Sequence, residues 1–275
     1  MRKKTLLVFA ALPLLVIAAV HRPAARPTVF PADSRPGISV VTLNMAKETG
    51  VDRILSEFRD VPALSGADVL LLQEVKQDAN QKQCAAEQLA ASLGLHVTYS
   101  PAGPGITDQG LAILSRFPLR DVKVRTLKAY DLGFHSRSRF ALEATADTPM
   151  GDVRIFNAHL DTRLNTEDRL AQLEAVVRDS QGFHGRTIVG GDFNSNRFYW
   201  LGHVLPIPAR PQARGVDDYM TRLGFRTPLP VAATTFDYLG MHLDWVWLGG
   251  LQPGPFRIYP LEFSDHHAVW TRVGF

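Results

Sequence analysis

Apolar residues in this chain come in short β-branched runs, each closed by a polar residue. Val40-Val41-Thr42-Leu43 runs into Asn44, and Val69-Leu70-Leu71-Leu72 into Gln73-Glu74. Val153-Arg154-Ile155-Phe156 runs into Asn157-Ala158-His159, and Thr187-Ile188-Val189 into Gly190-Gly191-Asp192-Phe193-Asn194-Ser195. Runs of this length and composition predict buried strands. Further strands are expected at Leu95–Tyr99, Leu111–Leu114, Val122–Leu127 and Arg139–Ala146. Helices are expected over Val51–Arg59 and Ala79–Leu93; in the second, Ala86, Leu89, Ala90 and Leu93 recur at helical spacing and Gly94 ends the pattern. Asn165-Thr166-Glu167-Asp168 is a capped, acidic helix start, with Leu170, Leu173 and Val177 expected on its buried face. Pattern alone predicts a fold of mixed α and β.

The polar closures carry the chemistry. Gly190-Gly191-Asp192-Phe193-Asn194 puts a carboxylate and an amide at a strand end, where glycine permits a turn and close ligand approach. Gly-Asp also opens ordinary turns. Near the C-terminus Asp244 stands inside the apolar run Leu243–Trp247, and Ser264-Asp265-His266-His267 precedes Ala268-Val269-Trp270. One such residue is commonly a satisfied core group; a series of them implies a shared site, because buried carboxylates need partners or a metal.

In order, Asn44, Gln73-Glu74-Val75, Asn157-Ala158-His159-Leu160, Gly190–Asn194, Leu243-Asp244-Trp245 and Ser264-Asp265-His266 resemble the endonuclease/exonuclease/phosphatase (DNase-like) superfamily over about residues 38–273. Gly110–Pro118 is similar to a strand-and-turn segment of that group. The resemblance implies an α+β fold, a four-layer α/β-sandwich of two stacked mixed β-sheets flanked by helices. It also implies a metal-dependent phosphoric ester hydrolase. The superfamily includes DNases, abasic-site endonucleases, sphingomyelinases, inositol-phosphate 5-phosphatases and deadenylases, so substrate stays open.

The resemblance assigns roles residue by residue. Glu74, a carboxylate closing an apolar strand, is the expected ligand of Mg²⁺ or Mn²⁺. Asn44 assists that metal shell or orients Glu74, and Asp265 is a further metal or water ligand. Asp192 and Asn194 position the attacking water and bind phosphoryl oxygens. His266 is the general acid or base, with Asp244 on its other ring nitrogen. His159 sits in the Asn-x-His-Leu context of the DNase, sphingomyelinase and deadenylase branches, where it contacts phosphate; abasic-site endonucleases carry a tyrosine-type motif instead. His267 is expected to be structural, Asp161 to solvate its loop, and Arg137 and Arg139 to be surface residues. The aromatic run Asn196–Leu201 stacks bases, rests on lipid or packs beneath the loop, packing being the commonest fate.

Composition narrows the partner. The 275 residues carry no repeat or linker and are read as one catalytic domain, 37–275. Of the 30 Lys and Arg, four (Arg2, Lys3, Lys4, Arg22) lie in the leader, leaving 26 against 27 Asp and Glu. Net charge therefore gives no general attraction to nucleic acid, although Arg120, Lys123, Arg125 and Lys128 offer a local basic patch. Residues 1–21 read as a signal peptide or signal anchor: Arg2-Lys3-Lys4 precedes an apolar run, Leu6–Val20, that is short for a bilayer span. Residues 22–36 form a Pro-rich tether, and the protein is expected to be exported, secreted or anchored. Cys84, the single cysteine, excludes an internal disulfide. Three functions follow: a nuclease, a phospholipid or sphingomyelin phosphodiesterase, and a non-catalytic envelope binding module.

Overall fold

The computed structural model describes residues 37–77, 82–101, 110–132, 138–181 and 185–275. The leader, the tether and Arg137 lie outside the described residues. Residues 34–275 form one compact unit.

Two sheets make the centre. The six-stranded sheet orders as β12-β13-β1-β2-β4-β3, from Gln252–Tyr259, Ala268–Gly274, Gly37–Asn44, Val69–Val75, Gly110–Ser115 and His96–Ser100. The five-stranded sheet orders as β11-β8-β7-β6-β5, from Asp244–Gly249, Arg186–Asp192, Gly151–His159, Phe140–Thr148 and Leu119–Thr126. Each is mixed: β1 pairs β2 in parallel and β7 pairs β8 in parallel, while their other neighbours are antiparallel. The sheets stack face to face through Val40, Leu71, Ile113, Leu142, Ile155, Ile188 and Val246.

Helices cover both outer faces. On one side α1 (Val51–Asp60), α2 (Pro62–Ser65) and α3 (Ala85–Leu93) bury Ile54, Phe58, Leu64 and Leu89 against the six-stranded sheet. On the other, α4 (Thr166–Gln181) and α5 (Ala213–Arg222) bury Leu173, Val176, Val216 and Met220 against Trp245 and Trp247. The result is the four-layer α/β-sandwich that the resemblance implied. The helix expected from Ala79 starts at Ala85, because Cys84 and Glu87 close a capping box there; Glu87 accepts from the Cys84 N–H at 2.8 Å. Residues 78–81 lie outside the described residues.

The two glycines before Asp192 act differently from the turn expected of them. Strand β8 runs straight through both. A Cβ on Gly190 would lie 2.6 Å from Leu71 of the facing sheet, and one on Gly191 (φ +134°) only 1.9 Å from the Ala158 carbonyl. They let the sheets and the β7–β8 pair close up, which brings the ends of β8 and β1 together.

One small sheet is joined to neither of the two large ones. Strands β9 (Phe198–Leu201) and β10 (Leu205–Pro208) pair only with each other, in register Tyr199↔Ile207 and Leu201↔Leu205.

Candidate active site

Strand register gathers the polar closures at one end of the sandwich. Asn44 is opposite Gln73, His159 opposite Asp192, and Asp192 opposite Asp244. Asn44, Glu74, His159, Asp192, Asn194, Asp265 and His266 all line one cleft of about 240 Å³, and Asp244 lies buried directly behind His266. All eight expected site residues therefore belong to one constellation.

Asp192 is its centre. Its Oδ1 accepts the Asn194 backbone N–H at 2.9 Å, and its Oδ2 accepts from the Asn44 amide at 3.1 Å and the Asn194 amide at 3.3 Å. His159 Nε2 is 3.4 Å and His266 Nε2 3.8 Å from the same oxygen. Burial raises the Asp192 carboxyl above the ordinary carboxylate range, and Asp244 adds to the effect against the opposing pull of His266 and the hydrogen bonds. Asn194, held at φ +52°, also donates its amide to the Leu160 carbonyl at 3.0 Å, so the β7 and β8 ends are tied together.

His266 is fixed from behind. Its Nδ1 faces Asp244 Oδ2 at 2.9 Å and Oδ1 at 3.1 Å, which leaves Nε2 for the cleft. Burial pulls the imidazolium down, but the Asp244 and Asp192 carboxylates outweigh it and raise the group above its usual range. Thr235 holds Asp244 in turn: its hydroxyl donates to Oδ2 at 2.7 Å and accepts the Leu243 and Asp244 N–H groups. The Phe236 ring meets His266 edge-on at 4.9 Å. Ser264 pins the loop, donating to the Asn44 carbonyl at 2.7 Å and accepting the His266 N–H.

His159 is buried, and its Nδ1 has no partner among the described residues. Burial lowers it well below the usual histidine range, with Arg139, His266 and Lys47 adding repulsion. The imidazole is therefore held neutral beside Asp192, with Nε2 towards that carboxylate and Nδ1 buried.

Glu74 reaches the cleft through a backbone irregularity. The β2–β4 register shifts between Leu72 and Val75, and Glu74 sits at φ +51° within that shift. Glu74, Asp265 and Asn44 line the same cleft and carry hard oxygen donors, the chemistry that Mg²⁺ or Mn²⁺ prefers. Asn44 orients Asp192 rather than Glu74; its Oδ1 already accepts the Ala46 N–H, which leaves one lone pair. A second grouping that could hold a cation is Asp192, Asp244 and His266, whose ligand atoms lie within 4.8 Å of one another. There His266 Nδ1 and the Asp244 carboxylate already face each other in hydrogen bonds.

Several residues to which the sequence assigns no role also build the site. Gln73 and Asn157 join the sheets beneath the cleft: Gln73 donates to Asn157 Oδ1 at 2.7 Å, and Asn157 donates to the Leu72 and Ala112 carbonyls. Arg169 is fully buried and donates to the carbonyls of Asp161, Phe193 and Leu164, and to Gln212. Two surface expectations are corrected. Asp161 is buried and bound by Gln172 at 2.6 Å, and Arg139 pairs with it at 2.8 Å, because the loop after β7 folds inward over α4. Two of the four residues of the basic patch are paired with carboxylates, Arg120 with Asp121 and Asp152, and Arg125 with Glu143. His267 is structural as expected, with its N–H on the Thr235 carbonyl and its ring 3.4 Å from Asp237.

The sequence pattern of the Endonuclease/Exonuclease/phosphatase family matches residues 41–266. The chain belongs to this family. No curated protein sequence gives a match. Solved structures share the fold at low identity. An endonuclease/exonuclease/phosphatase from Beutenbergia cavernae superposes with TM-score 0.67 at 19% identity, over 88% of this chain and 72% of that one. A family protein from Leptotrichia buccalis gives 0.63 at 18%, over 86% and 100%. The human Nocturnin catalytic domain, with bound sulfate, gives 0.63 at 20%, over 89% and 96%. As a member of the endonuclease/exonuclease/phosphatase family the chain is a phosphoester hydrolase.

Proposed function

We propose that this protein is an exported, divalent-metal-dependent phosphodiesterase that cleaves by attack of an activated water, with nucleic acid as its leading substrate class. The observation that carries the reading is the Asp192 carboxylate, held by Asn44 and Asn194 beside an imidazole that is locked on Asp244. Glu74, with Asn44 and Asp265, would hold a divalent ion, which would supply charge neutralisation at the phosphate.

The chain's own groups do the rest. Asp192 and Asn194 position the water, and Asp192 Oδ2 accepts its proton as the new P–O bond forms. His266 offers its Nε2 proton to the leaving oxygen, and Asp244 stabilises the imidazolium and fixes the ring. His159 lines the cleft beside Asp192, where it meets the phosphate, and the Asn194 amide, committed to Leu160 and Asp192, holds the Asp192 carboxylate in place.

Phe198 and Trp200 line the cleft and give bases a surface on which to stack, which favours nucleic acid. The phospholipid reading is favoured by the exposed apolar side chains at the rim, among them Tyr199, Leu201 and Leu205. Export rests on the basic and apolar leader alone.

The test is hydrolysis of supercoiled plasmid, single-stranded DNA, RNA and sphingomyelin vesicles with Mg²⁺ or with EDTA. EDTA-sensitive cleavage of nucleic acid that is lost in Asp192→Ala and His266→Ala supports the leading reading. Cleavage of lipid alone moves the assignment to the second, and inactivity on all four leaves a small phosphoester as substrate or a non-catalytic binding module.

A further inference from the structure

Among the described residues, seven of the eleven exposed large apolar side chains gather at the mouth of the cleft: Tyr199, Leu201, Val204, Leu205 and Ile207 on the β9–β10 hairpin, and Tyr238 and Leu239 on a neighbouring turn. Such clustering needs a cause, since soluble surfaces scatter their apolar residues. Alternation along β9 divides the hairpin. Phe198 and Trp200 turn to the cleft, while Tyr199 and Leu201 turn away from it, opposite Ile207 and Leu205 across the ladder. Four apolar side chains thus share the outer face, each at least 41% exposed. The hairpin is tied to the body of the domain on its inner side, Trp200 by two hydrogen bonds with Asn165, and His203 at the Arg163 carbonyl, which leaves the apolar outer face to meet a partner.

The base of the hairpin is cationic. Arg197 shares the parity of Tyr199 and Leu201, and the Ala209 N–H donates to its carbonyl at 2.9 Å, which extends the ladder by one step. Arg197, Arg210 and Arg214 line a pocket of about 520 Å³ beside the hairpin, and no acidic residue lines it. Arg197 also reaches the Gly240 carbonyl at 3.4 Å, next to Tyr238 and Leu239. The tip is therefore apolar and the base positive. That order matches a bilayer interface, with acyl chains below and phosphate groups above.

We propose that the outer face of this hairpin, with the arginine pocket at its base, docks the protein on an anionic phospholipid bilayer. Four strand residues reach about 13 Å, enough to bury the tip in the interfacial layer while the arginines meet headgroup phosphates. The surface uses none of the catalytic residues, so docking holds whichever diester is cleaved.

The experiment is flotation of residues 34–275, which contain all three hydrophobic cores, with phosphatidylcholine vesicles that contain or lack phosphatidylglycerol. The expected result is binding to the anionic vesicles. The combined variant Tyr199→Ser, Leu201→Ser, Leu205→Ser, Ile207→Ser loses at least about tenfold of that partitioning. Arg210→Gln and Arg214→Gln each lose about fivefold and weaken its salt sensitivity. Leu205→Asp alone, at the hairpin tip, guards against misfolding of the combined variant; it too should lose binding at an unchanged melting temperature. Hydrolysis of a soluble chromogenic diester should be the same in every variant. Vesicle binding that is absent from the wild type, or equal in the variants, overturns the proposal even if the diester is cleaved. Binding without diester cleavage would overturn the functional reading and leave docking standing. A wild-type dimer that the Leu205→Asp variant abolishes assigns the face to a second copy and overturns docking as well.

Discussion

Replacing Arg169 by Met should loosen the catalytic end of the domain more than any exposed substitution. The guanidinium is fully buried, and its bonds to the carbonyls of Asp161 (2.6 Å), Leu164 (2.8 Å) and Phe193 (2.9 Å) bridge the loops that follow β7 and β8. A fourth bond, at 3.0 Å, goes to Gln212 at the start of α5. Met fills the stem's volume but leaves those oxygens facing a thioether. Charge-assisted bonds of this kind contribute about 1.5–3 kcal/mol each, partly offset because the buried cation is also removed, for a net loss of about 2–4 kcal/mol. Burial lowers Arg169 to about 10, so the side chain is still charged at neutral pH and the full set of bonds operates there. Urea unfolding followed by tryptophan fluorescence reads the change, because Trp245 and Trp247 are completely buried. With a slope of about 3 kcal/mol per molar, the midpoint should fall by about 1 M. Arg169→Lys should fall nearly as far, since one ammonium cannot span four acceptors. A midpoint within about 0.2 M of wild type in Arg169→Met would refute the claim that this side chain holds the site's loops.

Other outcomes follow from the same geometry. Asp244→Asn should lower turnover by about 10²–10⁴ with little change in substrate affinity, because the imidazole loses its orienting carboxylate; steady-state kinetics separates the two. Thr235→Val should lower turnover in the same direction but less, and equal rates for wild type and variant would show that Asp244 needs no such anchor. Asn157→Ala should destabilise the domain by about 2–3 kcal/mol by leaving Gln73 and two strand carbonyls short of a partner, as measured by denaturant midpoint. Cys84 is buried, and burial pushes its thiol from 9.0 up to about 11, so disulfide reagents should label it only after unfolding. Its folded-state value lies above the unfolded one, so the stability from the neutral buried thiol is present below about pH 9 and lost as pH rises towards 11. Cys84→Ala should flatten that alkaline decline.

What the sequence discloses of this site is the set of strand ends, and the reason is physical. A polar residue that closes an apolar run has one place to go, and the parallel pairs β1–β2 and β7–β8 carry those ends to the same edge. Glu74 was legible as a residue but not in its aim, which comes from a register shift and a positive φ that no local pattern announces. On α4 the expected Leu173 and Val177 are buried, and the buried stripe also takes in residues that the apolar pattern leaves out. Arg169, Gln172, Leu173 and Val176 are buried at helical spacing, whereas Leu170 is only half-buried. Counting Arg169 and Gln172 as polar hid the full stripe, although their spacing was a usable signal. The Asn196–Leu201 run was read as packing. Half of it does face the cleft, but the ladder with Leu205–Pro208 turns the alternate residues to solvent, and Pro206 and Pro208 mask that second strand in the sequence.

The most direct test of the central claim is the rate of hydrolysis of a chromogenic phosphodiester by the full chain, with Mg²⁺, with Mn²⁺ and with EDTA, beside Glu74→Gln, Asp192→Ala and His266→Ala. The account predicts turnover that EDTA abolishes and added metal restores. It also predicts that Asp192→Ala and His266→Ala stay inactive at any metal concentration, while Glu74→Gln recovers part of its rate as metal is raised. Turnover that survives EDTA, or that persists in Asp192→Ala, would contradict it.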